Sequence, residues 1–231
     1  MRTIQEHNRV SAIIPALDAG ETLSAALSPL LASALVADIV VVDGGSGDDT
    51  VVRARAAGAR VLTTPRGRGP QLAAGAAATC CEWLLFVHAD CRLAPGWEEK
   101  VRAFVAAAGA GERAGYFDLV LDDTHAGARR LERLVAWRSR KLGLPYGDQG
   151  LLIARRLYDS IGGFAPLPLM EDVDLARRLG RRRLAPLGGF CIASARRYRR
   201  HGYWRRPLRN MLCLSLYFAG VPPRHIARFY R

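Results

Sequence analysis

The apolar and polar positions along this chain change period in a regular way, and that alternation comes before any single motif. Val10-Ser-Ala-Ile-Ile-Pro15 is a short apolar run closed by a proline and reads as a buried strand. Asp18 or Gly20 then opens an amphipathic stretch, Glu21 to Leu35, with Leu23, Leu27, Leu30 and Leu31 at helical spacing. Asp38–Asp43 is β-branched and unbroken, as expected of a parallel strand covered on both faces. Beyond it the pattern predicts a helix over Thr50–Ala57, a strand over Ala59–Thr63, an Ala-rich helix over Gly69–Thr79 and a strand over Glu82–His88. Strands and helices taking turns in this way describe a doubly wound, mostly parallel α/β sheet.

After Pro95 the rhythm loosens. It predicts a helix over Trp97–Ala107, a strand over Gly115–Leu121, a long Arg-rich helix over Ala126–Leu142 and a loop from Gly143 to Gly150. A strand at Leu151–Ala154, helices at Arg156–Ile161 and Asp172–Leu179, and short strands near Leu184 and Cys191 follow. The chain ends on helices near Pro207–Ala219 and Pro223–Tyr230. No repeat, linker or low-complexity segment interrupts it. The expected organisation is one α/β unit over residues 1–195 with a basic, aromatic helical extension over 196–231 belonging to the same structural body.

Composition changes this picture in one respect. The 231 residues carry 34 Lys+Arg against 21 Asp+Glu, a net charge of +13. The last acid is Asp174, and the 57 residues from Leu175 onward hold 15 Arg and no acid. The preceding 174 residues have a net charge of −2. The excess is therefore a basic arm or face, where a domain wrapped on nucleic acid would spread its bases. Five cysteines without a C-x-x-C pair, two of them the adjacent Cys80–Cys81, suit a reduced, cytoplasmic chain. The polar start lacks a leader's apolar core, and Met211–Val221 is well short of the roughly 20 residues that span a bilayer.

In open α/β sheets ligands bind beyond the carboxyl ends of the strands, which singles out Asp18, Asp43, and His88 with Asp90. Asp43-Gly-Gly-Ser-Gly-Asp-Asp-Thr50 is neither a dinucleotide Gly triplet nor a phosphate loop, since no Gly-Lys-Ser/Thr follows. It is either a turn and helix cap or an acid accepting hydrogen bonds from a base or ribose. Val10–Leu17 (VSAIIPAL), Ile39–Thr50 (IVVVDGGSGDDT), Arg66–Gln71 followed by Ala73-Ala-Gly-Ala, and Leu84–Asp90 (LLFVHAD) stand in order along the chain. Gly162-Gly-Phe164 and Pro168–Leu175 (PLMEDVDL) complete the series. Together these resemble family-2 glycosyltransferases of the GT-A fold, in a compact bacterial form, over roughly residues 10–180.

The resemblance implies inverting transfer of a sugar from a nucleotide-sugar, UDP- or GDP-linked, assisted by Mn²⁺ or Mg²⁺. Pro15, Ala16, Leu17, Asp18 and Asp43 would frame the nucleoside, with Arg68, Gln71 and His88 over the nucleotide. Asp90 would hold the metal that bridges the diphosphate, with His201 as a further contact. The usual Asp-x-Asp is here His88-Ala-Asp90, which leaves one carboxylate where a hard cation is usually given two. Asp172, beside Glu171, would be the base that deprotonates the acceptor hydroxyl; three acids in a first helical turn also simply suit the helix dipole. Asp148 and Gln149 would line the acceptor pocket, although Pro145 to Gly150 is equally good turn chemistry.

Arg196-Arg-Tyr-Arg-Arg-His-Gly-Tyr-Trp-Arg-Arg206 interleaves bases with aromatics. The first expectation is a clamp on diphosphate and acceptor through Arg196, Arg197, Tyr203 and Trp204. Contact with an anionic membrane on its inner face comes second, and nucleic acid is not favoured. The acceptor is a small molecule or a lipid-linked one. His7 and His125 are expected on the surface without partners. Two other functions compete: a nucleotidyltransferase, which would want a Lys near residue 20 that is absent, and a basic docking module with a degenerate sugar-nucleotide site.

Overall fold

A computed structural model describes residues 9–230, so His7 lies outside the described residues. The first half is the alternation just outlined: β1 (Val10–Ala16), α1 (Gly20–Leu31), β2 (Val36–Asp43), α2 (Thr50–Ala56), β3 (Arg60–Thr63), α3 (Arg68–Ala77) and β4 (Trp83–Phe86). Parallel pairing joins β3 to β2, β2 to β1 and β1 to β4. All seven residues of β1 and all four of β4 are buried, which is why neither shows an alternating pattern. Gly75 lets α3 lie directly on this sheet; a Cβ there would come within 2.3 Å of Ile13 Cγ2.

The second half adds α4 (Trp97–Ala106), β6 (Ala114–Leu121), α5 (Ala126–Trp137), β7 (Leu151–Ala154), α6 (Arg155–Ser160), α7 (Glu171–Leu179) and β8 (Leu184–Ala193). The eight strands, with β5 (Cys91–Leu93) at the far edge, run in the order β3-β2-β1-β4-β7-β6-β8-β5. Here directions mix: β7 is antiparallel to β4 and β6, β6 is parallel to β8, and β5 is antiparallel to β8. The chain leaves β1 toward β2 and returns on its other side as β4, so a crevice opens beyond the carboxyl ends of β1 and β4.

Several expectations are corrected. The two short strands near Leu184 and Cys191 are one ten-residue strand. Its Gly188, at φ +77°, stands where the register with β6 slips between Tyr116 and Asp118, and that irregularity broke the sequence pattern. The helix from Ala126 stops as an α-helix at Trp137 and widens into a π-helical turn, Arg138–Leu142, closed by Gly143 at φ +65°. The first helix ends at Leu31 rather than Leu35, and β4 ends at Phe86, releasing His88 from the ladder. Strand β5 is too short to carry a period, and helix α8 (Arg196–His201) is unheralded in the hydrophobic pattern.

α9 (Arg205–Phe218) and α10 (Pro223–Tyr230) complete the chain. This extension packs on the body. Cys213 and Ile226 are buried, Tyr203 Oη donates to Asp123 Oδ2 at 2.7 Å, and Tyr217 Oη donates to Asp174 Oδ1 at 3.4 Å. Arg177 lies over Tyr217 and Phe218 at 5.5 and 5.1 Å.

Candidate functional site

Two groups of acids stand beyond the strand ends, and the fold treats them differently. At the ends of β1 and β2 the loops are stitched to one another. Asp43, 3% exposed, accepts from Gly45 N at 2.9 Å and Ser46 N at 3.1 Å, with Ser46 Oγ donating to it as well. Asp18, in the left-handed region at φ 49°, accepts from Gly47 N at 2.8 Å, while its own N–H donates to Ser46 Oγ at 2.9 Å. Asp48 receives Gly20 N at 2.9 Å and Thr50 N at 3.0 Å, and its hydrogen bonds with Thr50 and Gly20 hold its carboxyl below the usual range. Gln71 is expected over the nucleotide but turns inward: its Nε2 donates to Ala16 O and Val42 O at 2.8 and 2.7 Å, locking α3 to β1 and β2.

The second group lines a cleft beyond β4. Its walls come from Arg68, His88, Asp90, Tyr146, Asp148, Met170 and Asp172 of the body, with Arg197, Tyr198, Arg206 and Asn210 from the extension. The cleft they line is open to solvent.

Asp172 owes its position to Met170, whose φ of +66° is a strained conformation for a non-glycine residue immediately before α7. That turn sends Glu171 inward, where it is fully buried and ion-paired with Arg68 at 3.1 Å. Asp172 is left at the cleft wall. Gly147 N donates to Asp172 Oδ2 at 2.9 Å and Val173 N to Oδ1 at 2.8 Å, which fixes the carboxylate's orientation. Burial pushes Glu171 up to about 7 against the pull of Arg68. Asp148, whose buried Oδ1 has no hydrogen-bond partner, rises to about 6 for the same reason.

His88 packs so closely on Gly147 that a Cβ there would lie 2.2 Å from its Nε2. Burial, with Arg68 nearby, lowers its imidazole to about 4, so it is neutral at pH 7. Burial opposes ionisation of Asp90, but the positive charge facing it, from His88 when protonated and from Arg197, holds its carboxyl below the ordinary range. Arg197 stands 3.9 Å from Asp90. The ligand atoms of His88, Asp90 and Cys91 all lie within 4.8 Å of one another. A nitrogen and a carboxylate oxygen facing one point suit a borderline cation such as Mn²⁺ better than Mg²⁺, which favours oxygen.

Of the residues expected here, Arg68, His88, Asp90, Asp148, Asp172 and Arg197 meet in the cleft, with Glu171 directly behind Arg68. Pro15 and Ala16 end β1 and Leu17 follows it, away from the cleft walls and beside the Asp18–Asp43 loops. Gln149 is not an acceptor contact. It is wholly buried, donates to Phe117 O at 3.0 Å and accepts from Ser139 Oγ at 2.8 Å, so it braces the loop from beneath. Arg196 points away to pair with Glu21, Tyr203 stacks between His125 and Tyr198, and Trp204 is 75% exposed. His125, expected to be without a partner, caps α5 by accepting from Gly127 N at 2.9 Å. The side chain of His201 lies outside the described residues.

Arg206, the last residue of the basic run, also reaches the cleft, together with Asn210, which the sequence did not single out. They stand four residues apart on α9, on the face that carries Cys213 and Tyr217. That spacing was readable in the sequence; the direction of the helix was not.

Comparison with known proteins places the family and the fold. The profile described as "Glycosyl transferase family 2" matches residues 11–205. Glucosyl-3-phosphoglycerate synthase of Mycolicibacterium paratuberculosis is 37% identical over 93 residues, 35% of this chain and 28% of that protein's length. The corresponding enzyme of Mycobacterium tuberculosis is 34% identical over 93 residues, with the same coverage. The crystal structure of the M. tuberculosis synthase with Mn²⁺, UDP-glucose and phosphoglyceric acid superposes with a TM-score of 0.57 at 27% identity. It covers 78% of this chain and 70% of that one. The same synthase with Mg²⁺ and UDP gives a TM-score of 0.56 at 25% identity, covering 81% and 70%.

Proposed function

This chain belongs to glycosyl transferase family 2, and from that premise we propose that it moves a sugar from a UDP-sugar to a hydroxyl of a small anionic acceptor, with inversion. The observation that carries the reading is the convergence of an oriented carboxylate, Asp172, with the His88–Asp90–Arg197 group in one cleft. UDP and a phosphorylated acid are bound by the synthase structures that resemble this fold. Arg206 and Asn210 supply the positive charge and hydrogen-bonding capacity that such an acceptor needs.

Asp172 takes the acceptor's proton as the acceptor oxygen forms its bond to the anomeric carbon. The bond from that carbon to the diphosphate breaks, and its electron pair leaves with UDP. The proton stays on the carboxylate until solvent removes it. Arg68 and Arg197 face the side where negative charge grows and stabilise it without rearranging. Asp90 and His88 would hold a divalent cation, whose chemistry is to neutralise the diphosphate leaving group. The neutral imidazole of His88 keeps its lone pair available for that purpose.

The test is transfer from UDP-glucose to 3-phosphoglycerate with Mn²⁺, followed by proton NMR of the product. UDP release that needs the acceptor, with the opposite anomeric configuration in the product, is the expected result. Calorimetry that finds GDP bound and UDP not bound overturns the donor, and a retained configuration overturns Asp172 as base.

A further inference from the structure

The helix that brings Arg206 and Asn210 to the cleft has a second side. At 100° per residue, Arg206, Asn210, Cys213 and Tyr217 share one face of α9, and that face meets the body. Leu208, Met211, Ser215 and Phe218 fall opposite, aligned with Trp204 just before the helix and with Leu212 at the margin. Trp204 is 75% exposed, Leu208 64%, Met211 58% and Phe218 50%. Single exposed apolar residues are ordinary, but a row of them along one helix face is an interaction surface.

The surroundings of the row indicate its partner. Arg205 flanks it on α9, Arg200 precedes it on α8, and Arg224 and Arg228 are exposed on α10. From Leu175 onward the chain has 15 Arg and no acid, and although Arg178, Arg196, Arg197 and Arg199 pair with acids of the body, the segment itself stays strongly basic. A second copy docking through a two-fold axis would set this surface against itself, arginines facing arginines. An anionic bilayer satisfies both features, the apolar row and the basic border. No helix among the described residues is long and apolar enough to cross a membrane, so the contact is with the surface.

We propose that the outward face of α9 docks on an anionic lipid bilayer, with Trp204, Leu208, Met211 and Phe218 at the headgroup boundary and the bordering arginines on lipid phosphates. The opposite face of the same helix then holds the cleft beside the membrane. This assignment does not depend on the transfer reaction, and its test uses no turnover.

The whole chain is sedimented with vesicles of phosphatidylcholine alone or with about 30 mol% phosphatidylserine. Sedimentation with the anionic vesicles only, weakened by added salt, is expected. Tryptophan emission should move to the blue and be quenched by brominated acyl chains, and Trp204→Phe should remove most of that quenching. The double variant Leu208→Ser/Met211→Ser should bind vesicles at least about tenfold more weakly while binding UDP as the wild type does. Absence of sedimentation, or sedimentation that the double variant leaves unchanged, overturns the proposal. So does a concentration-dependent dimer that the double variant abolishes, because it assigns the face to a second copy. If the double variant does not fold, the quenching of wild-type Trp204 decides.

Discussion

Asp43 and Asp172 are the same side chain at comparable places, one closing strand β2 and the other in the first turn of α7, yet they answer to different demands. Asp43 is surrounded by donors from its own loop, and its acceptor capacity goes into shaping the turn between β2 and α2. Asp172 accepts two backbone N–H bonds that orient it and still faces open space. Around Asp43 the polar groups satisfy one another. Around Asp172 they do not: Asp148 has an orphaned oxygen, Glu171 is buried against a partly exposed arginine, and both titrate above their ordinary values. Unresolved electrostatics concentrated in one cleft is the signature of a site built for a ligand.

Asp172→Asn presses this contrast hardest. As the proposed base it should lose about 10²–10⁴-fold in transfer rate, while calorimetry finds UDP binding unchanged. Turnover within a few-fold of wild type would remove Asp172 from the chemistry. Asp43→Ala should do the reverse. It strands the N–H groups of Gly45 and Ser46, so unfolding in urea should show a loss of about 1–3 kcal/mol, with the residual folded protein still responding to acceptor. An unaltered midpoint would mean that Asp43 serves the ligand instead of the loop.

The two regions were unequally legible in the sequence. The parallel half could be read almost element by element, because buried strands and amphipathic helices have separate periods and turn residues between them. Asp18, Asp43 and His88 were found by their place after strands. What the pattern does not encode is where a side chain turns once the chain leaves the strand. Gln71 and Gln149 sit in segments that resemble a binding motif, yet both amides point into the interior, where they donate to the backbone carbonyls of Ala16, Val42 and Phe117. Asn210 was invisible, and Arg206 was legible only as the end of the basic run, because their place in the cleft depends on α9 folding back over it. The same basic run conceals three fates: Arg196 at the surface, Arg197 at Asp90 and Trp204 in solvent.

His88→Asp sharpens the comparison at the metal position. It replaces a nitrogen by a second carboxylate and should move preference from Mn²⁺ toward Mg²⁺ by about tenfold, the scale on which even outer-shell changes act. Equilibrium dialysis of each cation with UDP present measures it without turnover. An unchanged ratio would place His88 outside the coordination of the metal.

The smallest effect tests the electrostatic half of the contrast through stability. Glu171 is raised from 4.5 to about 7 in the folded protein, so between those values the native state binds more protons than the unfolded chain. Its contribution is therefore fully present below pH 4.5 and is lost as pH rises through 7. Asp148, raised from 3.8 to about 6, acts in the same direction. His88, lowered from 6.5 to about 4, opposes them: its contribution is present above 6.5 and is lost as pH falls toward 4. Below pH 6.5 the wild type should thus show a shallow dependence, the terms of opposite sign offsetting one another. Above it His88 no longer changes charge in either state, and the remaining decline belongs to Glu171. Glu171→Gln removes that decline, so its melting temperature relative to wild type should climb between pH 6 and 8 by about 2–4 °C, the shift that about 1 kcal/mol produces at this size. A constant difference across that range would mean that Glu171 stays ionised, held by Arg68, and that burial does not govern this part of the cleft.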